Sequence, residues 1–441
     1  MRLLRWSPLL WVVAAACADR RDVAPACSDE RASVDAGAGL TYLADVEPIL
    51  LARCKGCHVA GGAGPFPLTT YQEVFAKRHA VRQAVEQRAM PPWLPAKCCN
   101  EYLFDRSMSD AEVAIVTAWI DQGAPEGTAF AEPGPAPSVG LSRVDVRASM
   151  PEPYVPKPPT GTSDDMRCFV LDWPAADTRF VTGVNIIPGR RELVHHVILA
   201  IASGDDLSVL DELDERSEGP GFDCNGGFAR ARVTGTIGGW EPGGPGLDFP
   251  DGLGVRVEGG AKLILNIHYS VAYSPPAPDQ TVVELKVDET ARPFRTVTVA
   301  NPMWLVDGAM TVKAGASDVP YSYQFDPTGL FGRGKAMKLY SANIHMHEYA
   351  FAGTLGVVRQ DGSRECLLHI PRWDLHWQGY YWFKEPTTLR PGDQLFIECR
   401  FNNSPSNPAV AAGTKQRVPH DIDWGEDEDM CAGFFNFVEA E

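Results

Sequence analysis

The chain has 441 residues, too many for one ordinary core, and its length suggests roughly three globular units. A composition of 44% hydrophobic and 22% charged residues is that of a soluble globular protein. The formal net charge of -17 argues against nucleic acid or an anionic lipid surface as partner, since both would repel it.

Residues 1–16, "MRLLRWSPLLWVVAAA", combine two arginines, an apolar run and a small-residue end, the layout of a secretory signal. The run is far short of the roughly 20 residues that cross a bilayer, so export is expected. Cys17 follows Ala14, Ala15 and Ala16, and the segment resembles a bacterial lipoprotein signal, in which that cysteine is acylated and anchors the chain at the periplasmic or outer surface. Ala14 stands where such signals usually carry Leu, so ordinary cleavage after an A-x-A site stays open. Residues 18–39 are polar and without periodicity, as expected of a tether.

From 40 to 127 the pattern is helical, in "YLADVEPILLARC", "TTYQEVFAKRHAVRQAVEQ" and "SDAEVAIVTAWIDQGAP". In the last of these Ser109 or Asp110 can cap, Val113, Val116, Ala118 and Ile120 supply apolar contacts, and Gly123 and Pro125 stop the helix. Between the first two lies "CKGCH". Cys54 and Cys57 can form thioethers with the vinyl groups of a haem, and His58 is placed to take one axial position on its iron. A disulfide or half of a zinc site are the alternatives. The export signal, the preceding helix and the closing Trp-containing helix favour haem. For the sixth ligand, Met90 in "RAMPPWLP" is the candidate, because Pro91 and Pro92 break the helix and fix the loop. An apolar, gap-filling Met is its alternative reading. His79, in a charged helix, is the other candidate and is expected to face solvent. Taken together, residues 40–127 resemble an all-α, class I type cytochrome c, which supports Met90.

Residues 128–163 are Pro-rich and read as an extended linker. Beyond them come short apolar or alternating runs such as "ELVHHVILAI", "KLILNIHYSV", "TLGVVRQ" and "DQLFIECRF", punctuated by Gly, Pro and Asp. This is mainly β-sheet, long enough for two sandwiches, divided here as 164–295 and 296–441.

Of ten histidines, five beyond His58 fall into tight groups: His195 with His196, His268, and His345 with His347. On a strand, His345 and His347 leave the same face and can chelate one metal. Adjacent His195 and His196 would leave opposite faces, so sharing a metal requires a bulge or a change of ring nitrogen. A pair plus His268 makes three imidazoles, suited to copper or zinc. A pair plus a thioether is a softer set that holds Cu(I) and leaves a position open for dioxygen. Met430, beside Cys431, is a candidate thioether, with core packing as its alternative.

The segments "ELVHHVILA", "GWEPGG", "LILNIHYS", "IHMHEY", "RPGDQLFIECRFNNS" and "EDEDMC" occur in an order and spacing that resemble the copper type II, ascorbate-dependent monooxygenases, the group of peptidylglycine-hydroxylating and dopamine β-monooxygenases. The resemblance covers about 165–440. It implies two jelly-roll-like β-sandwiches facing each other across a cleft. His195, His196 and His268 would hold an electron-transfer copper; His345, His347 and Met430 would hold the copper where dioxygen and a small-molecule substrate meet. It also implies a Cys399–Cys431 disulfide, with Cys168–Cys224 as a second bridge. Cys366, Cys98 and Cys99 have no counterpart, and the seven cysteines outside the anchor and haem segments are odd in number, leaving one free.

Peptide-amidating members place an arginine where this chain has Asn343, so amidation is not expected. The acidic stretch 426–429 reads as a solvated loop rather than an amine trap. The expected protein is therefore multidomain: a small helical haem unit followed by two β-sandwiches, an exported monooxygenase with two coppers and one haem c. Its electrons would come from ascorbate or a small redox protein, by way of the haem. A non-catalytic electron-transfer or copper-binding lipoprotein, or a haem that gates rather than relays, are the other readings. His79, His369, His376 and His420 are given no role, and His376 in "DLHWQGYY" is expected at the surface.

Overall fold

A computed structural model of the chain describes residues 35–128, 140–204, 206–224, 228, 233–244, 246–306, 308–407, 420–425 and 428–440. The expected signal, the Cys17 anchor and part of the acidic stretch 426–429 lie outside them. The protein is mostly β, with few helices.

Near the N-terminus a π-helical turn, Tyr42–Val46, leads into α1 (Glu47–Arg53), followed by α2 (Tyr71–Glu86) and α3 (Asp110–Asp121). Both longer helices start with a capping box, in which Thr70 with Glu73 and Ser109 with Glu112 satisfy backbone donors reciprocally. Helical spacing turns Val74, Val81 and Val85 of α2 toward Val116, Trp119 and Ile120 of α3, and these close on Tyr42 and Leu50. Gly123, at φ 89°, ends α3 in the left-handed region that favours glycine.

The span 40–127, expected as one small helical domain, also contacts the C-terminal sheets. Between α2 and α3, residues 93–106 leave the helices and strap across the C-terminal sheets. Ala96 N–H donates to His369 O (2.8 Å), Leu103 N–H to Trp382 O (2.8 Å), and Lys384 N–H to Glu101 O (2.9 Å). Tyr102 is buried there and donates its hydroxyl to Leu367 O at 2.9 Å. The cause is apolar: Trp93 packs edge-on against Tyr381 at 5.3 Å, a partner the helices do not offer.

The N-terminal sheet pair contains β1 (Val146–Ser149), β2 (Asp164–Asp172), β3 (Arg179–Ile187), β4 (Val194–Ala202), β5 (Phe222–Asp223), β6 (Gly235–Trp240), β7 (Leu247–Asp248), β8 (Leu253–Val257), β9 (Lys262–Ser270), β10 (Val282–Asp288) and β11 (Arg292–Pro293). One sheet runs β5-β2-β9-β4-β6; the other runs β1-β10-β3-β8-β11, with β7 beside β3. Phe169, Val197 and Leu265 of the first meet Val181, Val283 and Leu285 of the second in one core. Part of the expected linker belongs here: β1 pairs with β10, and Met150 and Tyr154 are buried in this core. Those apolar side chains outweigh the surrounding prolines.

Between Pro293 and Arg295 the chain passes to a C-terminal pair: β12 (Arg295–Val299), β13 (Val319–Phe325), β14 (Met337–His345), β15 (Ala350–Val358), β16 (Arg364–Ile370), β17 (Tyr381–Leu389), β18 (Gln394–Phe401) and β19 (Ala432–Glu439). The sheets run β12-β19-β14-β17 and β13-β18-β15-β16, and share a second core around Leu339, Leu355, Ile397 and Phe435.

Disulfides join Cys399 to Cys431, Cys168 to Cys224, and Cys99 in the strap to Cys366 in β16. Cys98 is disulfide-bonded as well, so none of the seven cysteines is free, contrary to the odd count. The bridges fit an oxidising, extracytoplasmic setting. Among the described residues, no helix is long and apolar enough to cross a membrane.

Candidate metal centres and the cleft between them

His195 and His196 open β4, whose burial reads Val194 in, both histidines out, Val197 in. Two consecutive side chains leave one face because the register against β9 shifts between Val194 and His196, so of the two ways the sequence left open it is the bulge that is present. His196 lies opposite His268 of β9. The ring nitrogens that converge are all Nδ1: His195 to His196 at 3.3 Å, and His268 to His196 at 3.4 Å. The three offer ligand atoms within 4.8 Å of one another, a set that could hold a metal ion.

Their protonation suits that role. Burial, reinforced by His268 and His376, pushes His195 down to about 3, and His196 falls well below its ordinary value for the same first reason. Neutral imidazoles are what a cation needs. His268 Nε2 faces Asp164 Oδ1 at 3.0 Å, which holds Nε2 protonated and leaves Nδ1 as the ligand atom. That hydrogen bond draws the Asp164 carboxyl down to about 2.

His345 closes β14 and His347 lies just beyond it. The alternation nonetheless continues: Ile344 and Met346 point into the core while both histidines turn outward. Here the Nε2 atoms face each other, at 3.1 Å. His345 Nδ1 meets Gln378 Oε1 at 2.8 Å, which fixes the tautomer with Nε2 free. Burial lowers the His345 pKa, partly offset by Gln378.

β19 pairs with β14 with Ala432 opposite His345, so the backbone of half-buried Met430, two residues earlier, lies near that of His347. Cys431 is tied to Cys399 of β18. The arrangement is organised by Asp429, which is fully buried and accepts the backbone N–H groups of His347 (2.7 Å), Met430 (2.7 Å), Tyr349 (2.8 Å) and Ala350 (3.1 Å). Burial pushes its carboxyl up to about 7 against the pull of those four donors.

Both histidine groups line one cavity of about 1890 Å³ between the sheet pairs, and the helical unit and strap supply part of its wall through Cys57, Trp93 and Arg106. His376 is exposed, as expected, yet its ring stands edge-on to His195 at 5.4 Å, paired with Asp374 at 2.8 Å.

In the helical unit, Cys54 and Cys57 are the free thiols among the described residues. His58 is buried, and its Nδ1 lies 2.8 Å from Phe66 O, so Nε2 is the nitrogen left for a ligand. A Cβ on Gly64 would lie 2.7 Å from His58 Nδ1, so only glycine lets the backbone pass. Met90 is half-buried past the end of α2, and its N–H donates to Ala84 O at 3.2 Å; His79 is exposed on α2. Asp164 and Gln378 went unnoticed in the sequence, since a single polar residue carries no period or motif, and Asp429, expected in a solvated loop as part of 426–429, is instead fully buried.

A human protein is 24% identical to this chain over 229 residues. It is DBH-like monooxygenase protein 1. The match takes in 48% of this chain and only 36% of that relative's length. No protein-family model matches the chain. Among solved structures, major capsid protein P2 of bacteriophage PM2 aligns with a TM-score of 0.21 and 8% identity over 67% of this chain and 97% of that one. The VP2 subviral particle of infectious bursal disease virus aligns at 0.18 and 10% over 68% and 74%. Scores this low carry no argument about fold or function.

Proposed function

We propose that the chain is an exported, lipid-anchored dicopper monooxygenase that hydroxylates a C–H bond of a small molecule with dioxygen, fed with electrons through a haem c in its helical unit. The observation that carries this reading is the pair of differently built histidine sets, three Nδ1 atoms in one and two Nε2 atoms in the other, opening into one cavity. Copper held there supplies the one-electron redox change and the activation of dioxygen.

The chain's own residues supply the rest. Asp164 and Gln378 set the tautomers, Asp429 holds His347 and Met430 in one frame, and the sheet pairs enclose the cavity. Met430 would add a soft ligand to His345 and His347, a set that favours Cu(I). Asn343 donates to Gly379 O at 2.7 Å and offers no cation for a substrate carboxylate, consistent with a substrate other than a peptide C-terminus. Cys54, Cys57 and His58 would hold the haem, with Met90 as second axial ligand.

Copper titration tests the reading. Two ions per chain are expected, one lost in His268→Ala and the other in His345→Ala, with substrate-coupled oxygen uptake abolished in Met430→Ala. Uptake that survives Met430→Ala would refute the assignment of the second centre. Two redox-active coppers with no substrate-coupled uptake in the unaltered protein would favour a non-catalytic electron carrier.

A further inference from the structure

The haem-attachment segment is pressed against the sheet pair that carries the three-histidine cluster. A Cβ on Gly56 would lie 4.0 Å from Gly243 Cα, and a Cβ on Gly243 would lie 3.1 Å from both Cys57 Sγ and Arg106 Nη1. Gly243 has φ +81°, so any side chain there is strained as well as crowded. The two thiols differ in outlook: Cys54 packs on the helical core, whereas Cys57 lines the central cavity.

Arg106, at the end of the strap, fastens this contact. Its Nη2 donates to Glu241 Oε1 at 2.7 Å and its Nη1 to Pro242 O at 3.1 Å. Its Nε is buried and has no hydrogen-bond partner among the described residues. On its far side Glu241 rests against the C-terminal pair, because a Cβ on Gly379 would lie 2.5 Å from Glu241 Oε2. Trp240, which ends β6 just before Glu241, is the β-partner of Val197, which follows His196.

We propose that loop 240–244 is the seat on which the haem edge attached at Cys57 docks, with Arg106 and Glu241 as positioning residues, so that electrons reach the three-histidine cluster by way of Cys57, Gly243, Trp240 and β4. This rests on the haem and copper assignments made above. Each transfer oxidises ferrous haem to ferric and reduces a cupric ion to cuprous, with no bond made or broken and no proton moved.

The test uses full-length, haem-loaded protein with and without Cu(II), mixed anaerobically with less than one equivalent of dithionite in a stopped-flow instrument. In the unaltered protein the haem is reduced and then reoxidised only when copper is present. Gly243→Leu slows that second phase about tenfold or more, with copper content unchanged. Arg106→Ala slows it too and lowers the haem midpoint potential by removing a positive charge, while Arg106→Lys restores both; this variant serves if Gly243→Leu does not fold. Unchanged reoxidation rates in Gly243→Leu and Arg106→Ala, beside a copper-dependent phase in the unaltered protein, overturn the docking route alone. Absence of that phase from the unaltered protein overturns the relay itself, and the route with it.

Discussion

Deleting the Asp429 carboxylate probes how the second histidine pair is held. In Asp429→Ala, the N–H groups of half-buried His347 and Met430 can turn to water, but those of buried Tyr349 and Ala350 cannot. Two orphaned buried donors cost about 1–3 kcal/mol each, about 2–6 kcal/mol together. Removing a carboxylate that burial has pushed up to about 7 gives part of this back, so the lower range of about 2–4 kcal/mol is expected. At roughly 2–4 °C per kcal/mol, the melting temperature of the C-terminal pair falls by roughly 4–16 °C. Calorimetry measures that loss, and copper titration should show the His345/His347 site weakened while the His195/His196/His268 site is kept. An unchanged melting temperature would refute the reasoning. A lower one with both copper affinities intact would make Asp429 a residue of the fold only.

Other outcomes are equally concrete. Asp164→Ala and Gln378→Ala each free a ligand ring to rotate and should weaken copper at their own centre by about 10–100-fold, read by competition with a chelator. His195 stays neutral in the folded apoprotein down to about 3, against an ordinary 6.5. Its contribution to stability is therefore full above pH 6.5 and is lost as pH falls toward 3, because only the unfolded chain takes up the proton. Apoprotein melting temperature should accordingly drop in acid, and less so in His195→Asn. Cys99→Ser with Cys366→Ser removes a bridge spanning 267 residues. It should lower stability by up to about 5 kcal/mol and expose residues 93–106 to limited proteolysis.

The sequence made the histidine groups legible because local rules governed them. Alternation alone places His345 and His347 together, and it continues past the end of β14. Adjacency of His195 and His196 demanded an irregular strand, and the register shift supplies it. The capping boxes at Thr70 and Ser109 and the apolar faces of α2 and α3 follow from helical spacing. What escaped depends on partners far away in the chain. Asp164 matters only because β2 runs beside β9, and Gln378 only because its loop returns to β14. The strap has no signature, since Trp93 and Tyr102 look like ordinary apolar residues of a helical unit until Tyr381 appears beside them. Proline content likewise concealed β1, whose pairing with β10 depends on residues more than a hundred positions away.

The strap also decides how the molecule can be cut. A fragment beginning after the helical unit would present an open apolar groove where Trp93 and Tyr102 had lain, and an unpaired thiol at Cys366 beside it. Such a surface invites aggregation and disulfide-linked dimers. The β-portion should therefore be poorly soluble when produced by itself, and residues 93–106, supplied on the same chain or as a peptide, should restore it. The helical unit would then act as an internal chaperone for the sheets it appears merely to accompany.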